Sequence, residues 1–148
     1  MAEHSPLLPV TLTCNTDPRF IDLIQVVGGE LLKHMCFTQE DGERIWLAIQ
    51  EGIANAMRHG NNSDNSKTIS VRFVPSAEQI EIQIADQGKG VDMESIPDPS
   101  LPENVLKASG RGVFLMKQVM DSVKMDVSES GSTLVLIKRR KGRKQAAN

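Results

Sequence analysis

Residues Gln79 to Ala85 (QIEIQIA) alternate strictly, with Ile80, Ile82 and Ile84 on one face. A period of two suits only an extended chain, because a helix would scatter those isoleucines around its axis. Residues Lys67 to Val74 (KTISVRFV) alternate in the same way, and Pro75-Ser76-Ala77 between the two runs is turn chemistry. Together they predict a hairpin with one face on a core and the other in or near solvent.

The rest of the chain must supply what covers the apolar face. Val10 to Asn15 (VTLTCN) reads as a short strand. Asp17-Pro18 then predicts a helix start, with Asp as N-cap and Pro at the first helical position. Phe20, Ile21, Ile24, Val27, Leu31 and Met35 follow at near-helical spacing, interrupted by Gly28-Gly29, which either kinks the helix or permits close packing. Thr38 with Asp41 three residues on resembles a capping box. From there a second helix is expected to run to about His59, ended by Gly60-Asn61-Asn62. Its apolar stripe is Ile45, Ile49, Ile53 and Met57, joined by Trp46 and Ala56.

Residues 91 to 109 carry three prolines, Pro97, Pro99 and Pro102, and little periodicity. A loop that long inside a compact domain is often a functional lid. Gly110 to Met120 returns to helix, and Val123 to Val127 and Thr133 to Ile137 predict a last hairpin around Gly131-Ser132. The order is strand, helix, helix, hairpin, loop, helix, hairpin. It predicts an α+β two-layer sandwich, with about three helices over one face of a mixed, mostly antiparallel sheet.

Composition removes several functions. At 148 residues the chain fits one domain, with a core about 8–140 and a basic tail 138–148. With 39% hydrophobic and 24% charged residues it reads as globular. The net charge of −2 provides no basic field, and four Phe, one Trp and no Tyr provide no stacking platform, so direct nucleic-acid binding is not expected. Lys138, Arg139, Arg140, Lys141, Arg143 and Lys144 form the one basic cluster. It is read as a solvated tail, with a nucleic-acid tail as the competing reading. Cys14 and Cys36 lack zinc-ligand or CxxC spacing and are expected to be reduced thiols. No apolar run of about 18 residues exists to span a membrane, and MAEHSPLLPV lacks the pattern of a signal peptide, so a cytoplasmic location is expected.

Three polar groupings remain. Glu51, Asn55 and His59 are spaced i, i+4, i+8 and would share a helix face beside the apolar stripe. That face is either solvated or a place for a divalent cation and water, since a carboxylate and an amide about 6 Å apart along a helix suit hard oxygen ligation. Asp86-Gln87-Gly88-Lys89-Gly90 follows the Ile-rich strand directly. It is either a turn or a site where glycines admit a ligand and the Asp accepts from an exocyclic amine. Ser109-Gly110-Arg111-Gly112 opens a helix whose free N–H groups suit phosphate. It is neither a Walker P-loop nor a Rossmann fingerprint.

In this order and at these intervals, the three groupings resemble the boxes of the histidine-kinase-like ATPase superfamily, with its Bergerat nucleotide-binding fold. The boxes are Glu51-x-x-x-Asn55-Ala56-x-x-His59-Gly60, Asp86-x-Gly88-x-Gly90 and Gly110-Arg111-Gly112, with Gly131-Ser132-Thr133 similar to the family's Gly-x-Thr. EGIANAMRHG, GRGVFLMKQVMDSV and the length look most like the bacterial anti-sigma-factor serine/threonine kinases. Sensor histidine kinases carry the same domain behind a phospho-acceptor helical hairpin, for which His4 and His34 are not placed.

The resemblance implies that Asn55 binds Mg2+ bridging the phosphates of ATP, and that Glu51 is general base toward the attacking hydroxyl, or orients it. It implies that Asp86 accepts from the adenine amine, supported by Thr133 through water. Gly88 and Gly90 would pass close to the nucleotide. Gly110, Arg111 and Gly112 would surround the phosphates, His59 would complete the first box, and 91–109 would be the ATP lid. The implied substrate is a serine or threonine of a small anti-sigma-factor antagonist, the competing partner is a sigma factor, and the implied assembly is a homodimer. One departure is Ala108, where some family kinases place an Arg; Lys107 precedes it and Arg111 lies between the glycines. It bears on partner contacts and kinase efficiency more than on ATP binding. The alternative is a regulator of the same fold that binds nucleotide and a protein without transferring phosphate.

Overall fold

The computed structural model describes residues 5–90 and 110–142. Five strands form one sheet: β1 (Val10–Asn15), β2 (Thr68–Pro75), β3 (Gln79–Asp86), β4 (Ser122–Ser128) and β5 (Gly131–Arg139). Their order is β1-β2-β3-β5-β4, and every described pairing is antiparallel. The expectation of a mixed sheet therefore narrows to an antiparallel one. The helices are α1 (Phe20–His34), α2 (Gln39–Asn55) and α3 (Arg111–Val119), with a π-helical turn, Ala56–Gly60, continuing α2.

The alternation in the hairpin does what it predicts. Ile69, Val71 and Phe73 of β2 and Ile80, Ile82 and Ile84 of β3 are buried on one face. Leu134 and Leu136 of β5 join them. Against them lie Ile45, Ile49 and Ile53 of α2, Ile24, Leu31 and Leu32 of α1, and Val113, Met116 and Val119 of α3. Burying such side chains is worth about 1.5–3 kcal/mol each before entropic costs. Two glycines let helices sit close to the sheet. A Cβ on Gly28 would meet the Phe73 ring at 3.0 Å, so the Gly28-Gly29 step serves packing within a continuous helix. A Cβ on Gly52 would meet Ile84 and Leu134 at 2.8 and 2.9 Å, which seats α2 on the sheet one residue after Glu51.

Some boundaries differ from the sequence reading. Thr38 caps α2 as expected, its hydroxyl accepting the Asp41 N–H at 3.1 Å. Asp17 accepts the Arg19 N–H at 2.9 Å, but the α-helix itself begins only at Phe20. Asp17 and Pro18 instead accept through their carbonyls from Phe20 and Ile21, forming a tight lead-in turn. The last hairpin turns at Glu129-Ser130, and Gly131-Ser132 already belong to β5. The stretch 91–109, with Ala108 and Lys107, lies outside the described residues, as do Arg143 and Lys144. The rest of the basic cluster is tied to the fold. Lys138 donates to the Val119 carbonyl at 2.7 Å, Arg140 to the Ala77 carbonyl at 2.9 Å, and Lys141 lies 3.7 Å from Asp41. Among the described residues no helix is long and apolar enough to cross a membrane.

Candidate nucleotide site

The ends of α2 and β3 and the starts of β5 and α3 converge at one end of the sheet. Asp86 is the last residue of β3 and sits opposite Ser132 of β5. Its Oδ1 accepts the Gly88 N–H at 2.7 Å and the Ser132 hydroxyl at 2.9 Å. Two donors on one oxygen fix the plane of the carboxylate and leave Oδ2 to be placed by packing. That packing comes from Gly60, where a Cβ would collide with the Asp86 carboxyl group. A Cβ on Gly88 would in turn strike the backbone of Gly60, and one on Gly131 the carbonyl of Asp86. Gly60 thus packs on the carboxylate itself, while Gly88 packs on Gly60 and Gly131 on the Asp86 backbone, and only the absence of side chains allows these approaches.

Ser132 holds the place that the sequence reading gave to Thr133. The register puts Thr133 opposite Ala85 and Asp126, one residue off, and strand side chains alternate between faces. Asp86 and Ser132 share the helix-covered face with Ile84 and Leu134, and Thr133 points away from it. The side chain that meets Asp86 directly is that of Ser132. Counting parity from Asp86 and Leu134 would have found it.

The second half of the site lies between α2 and α3. Glu51 and Asn55 are half-buried on α2. A Cβ on Gly112 would lie 2.6 Å from Glu51 Oε2 and 3.4 Å from Asn55 Nδ2. The first turn of α3 therefore rests against both side chains. Gly110 caps that helix with a left-handed φ of 90°, and its carbonyl accepts the Phe114 N–H at 2.9 Å. Gly110 serves the backbone path and Gly112 the close approach. Arg111 is the first residue of α3 and its side chain is exposed. The free N–H groups of this turn and its dipole favour an anion beside Glu51 and Asn55. Gly90, at φ 70°, packs against Val127, Ser132 and Met125.

His59 is set apart from the other two. It lies in the π-helical turn, closed by the Asn61 N–H donating to the Ala56 carbonyl at 2.8 Å. A π turn uses an i→i+5 bond, so the i, i+4, i+8 spacing assumed for a regular helix fails over its last step. The ring of His59 is exposed, unlike Glu51 and Asn55.

The sequence reading missed Asn61, treated there as a helix stop. The left-handed residues are Asn62 and Ser63 instead, and Asn61 is fully buried. Its Oδ1 accepts the Gln87 N–H at 2.8 Å, directly beside Asp86. A polar residue at the end of an apolar helix gives no sign in sequence of a partner 26 residues away.

The oxygen donors fit a nucleotide with its cation. Among the described residues no three His, Cys, Asp or Glu side chains group to hold a metal alone. A cation here would share ligands between Asn55 and phosphate oxygens, the usual manner of Mg2+.

Residues 14–138 match the histidine kinase-like ATPase domain family. The chain is 30% identical over 128 residues to the serine-protein kinase RsbW of Bacillus velezensis, covering 82% of this chain and 79% of that one. It is 31% identical over 115 residues to RsbW of Oceanobacillus iheyensis, covering 74% and 73%. Among solved structures it resembles the RsbU and RsbW domains of a Mycobacterium tuberculosis protein, with a TM-score of 0.68 at 17% identity. That likeness covers 95% of this chain but 35% of the other, and it concerns the fold alone.

Proposed function

Because this chain belongs to the histidine kinase-like ATPase domain family, we propose that it is an ATP-dependent protein serine/threonine kinase acting as an anti-sigma factor. It phosphorylates a small antagonist protein and sequesters a sigma factor, works in the cytoplasm, and acts as a homodimer. The whole chain is read as one domain.

The observation that carries the catalytic part is the contact of Glu51 with Gly112. The half-buried Glu51 carboxylate lies against the first turn of α3, the place where a phosphate would be held. Placed there, Glu51 stands beside the group that the helix start would hold. Asp86 accepts from the adenine amine, with Ser132 holding its Oδ1. Gly110, Arg111 and Gly112 surround the phosphates, and Asn55 would hold Mg2+ together with them; when bound, the cation would supply neutralisation of phosphate charge. Glu51 takes the proton of the attacking serine hydroxyl. The serine oxygen bonds to the γ-phosphorus, the bond from that phosphorus to the β-phosphate oxygen breaks, and ADP leaves. Positioning and charge neutralisation supply most of the acceleration, and the base a smaller part of about 10²–10⁴-fold.

Incubation of the protein with Mg-ATP and a candidate antagonist tests this. Wild type should yield an acid-stable phosphoserine or phosphothreonine, and Glu51→Ala should bind ATP yet transfer almost nothing. Equal transfer by both proteins would remove Glu51 from the chemistry. An acid-labile product would point to phosphohistidine.

A further inference from the structure

Asn61 is 0% exposed, and both polar atoms of its side chain are hydrogen-bonded. Its Nδ2 donates to Thr16 Oγ1 at 2.8 Å and to the Thr68 carbonyl at 2.9 Å. Its Oδ1 accepts the Gln87 N–H at 2.8 Å. Its carbonyl accepts the Asp64 N–H at 3.0 Å. The network continues beyond it. Thr16, itself buried, donates to the Lys67 carbonyl at 2.9 Å, and Gln87 Oε1 accepts the Thr68 N–H at 2.9 Å.

These partners are not those of a local helix stop. A capping side chain bonds within two to four residues. The Asn61 side chain instead reaches 45 residues back to Thr16 and 26 residues on to Gln87. It gathers the end of β1, the start of β2, the π-helical turn and the peptide after Asp86. Two segments beside Asp86 are tied to this hub. Gly60, which packs on the Asp86 carboxyl, precedes Asn61, and Gln87, which Asn61 holds, follows Asp86.

We propose that Asn61 is a positioning residue for nucleotide recognition, setting the aim of the Asp86 carboxylate from both sides. The inference rests on the adenine role given to Asp86 above. Only an amide meets the demand at this point. It offers two donors to two acceptors and one acceptor to one N–H. Aspartate of the same shape keeps the acceptor but turns a charge on the Thr68 carbonyl.

The test compares ATP with inosine triphosphate, which carries a carbonyl in place of the adenine amine. Calorimetric titrations of the full chain would use wild type, Asn61→Asp, Thr16→Val and Asp86→Asn. Wild type should prefer ATP. Asn61→Asp should lower ATP affinity about tenfold, equivalent to one lost buried hydrogen bond, while inosine triphosphate changes less than about threefold. The preference should thus collapse. Thr16→Val, which removes one support of Asn61 and touches neither Asp86 nor Gln87, should reduce the preference in part. A loss of overall packing would lower both nucleotides by the same factor, and that result would overturn the proposal. If Asn61→Asp does not fold, an unchanged preference in Thr16→Val overturns it instead. If Asp86→Asn leaves the preference intact, the adenine role of Asp86 itself fails. If Asp86→Asn abolishes it and the Asn61 and Thr16 variants do not, only the positioning inference fails.

Discussion

Ser132 and Asp86 face each other across the β3–β5 pair, and the Ser132 hydroxyl donates to Asp86 Oδ1 at 2.9 Å. On the helix-covered face the other paired side chains nearest this bond are apolar, Ile84 with Leu134 and Ile82 with Leu136. The bond ends the row of Ile80, Ile82, Ile84, Leu134 and Leu136 at the one point where a ligand could need charge. The same face of the sheet is thus core along most of its length and, in the proposed reading, binding site at its end.

Ser132→Ala should weaken ATP binding roughly three- to tenfold, the range for a hydrogen bond to a charged group that is partly exposed. Ser132→Thr should retain it. Thr133→Val, on the other face, should change it by less than about twofold. Fluorescent-nucleotide titration measures all three. A larger effect at Thr133 than at Ser132 would contradict the register argument.

Gly112→Ala should separate binding from transfer. The new Cβ would meet Glu51 Oε2 at 2.6 Å, so the carboxylate must move. Displacing a catalytic group by about 1 Å can cost on the order of 10²-fold. Phosphate transfer to an antagonist should fall by that order. The melting temperature should move little, because the obstacle is the far end of a flexible side chain. Transfer at the wild-type rate would show that Glu51 is not held by this contact.

Gly131→Ala should act on the fold instead. Gly131 has φ 151°, and its Cβ would run into the carbonyl of Asp86, which is backbone and cannot swing away. The strain in such a position is about 1–3 kcal/mol before the clash is counted. A clear drop in thermal midpoint is expected. An unchanged midpoint would mean that the β3–β5 pair relaxes without cost.

The two thiols should differ in reactivity. Burial, and then the charge of Asp17, push the Cys14 thiol above its ordinary value, which lowers its thiolate fraction. Cys36 is exposed. Limited iodoacetamide treatment near pH 8, read by peptide mass spectrometry, should label Cys36 well before Cys14.

Acid should erase a small contribution from Asp17. Its bonds from the Arg19 side chain, and then from the Arg19 N–H, hold its carboxyl below the usual carboxylate range. A depressed folded value means that the stabilisation is present above the unfolded pKa and lost as pH falls through the folded one. Wild type should resist urea slightly more than Asp17→Asn at pH 7, and the gap should close below roughly pH 4. A gap that persists at pH 2 would assign the effect to something other than this charge.

Much of this protein could be read from the chain alone, for a physical reason. Period-two alternation in 67–85 and the stripe Ile45, Ile49, Ile53 and Met57 depend on residues close in sequence, so local spacing determined the strands, the helices and the face each buries. The same held for the Thr38 cap and for the glycines at the start of α3. The tertiary structure decided what depends on register and on distant partners. Strand pairing, not the Gly-x-Thr pattern, set Ser132 on Asp86 and turned Thr133 away. A π turn, which no spacing rule announces, took His59 out of line with Glu51 and Asn55. Bonds across 45 and 26 residues made Asn61 a buried hub where local chemistry shows only a helix end. A buried amide earns its place from partners that only the folded chain brings within 3 Å.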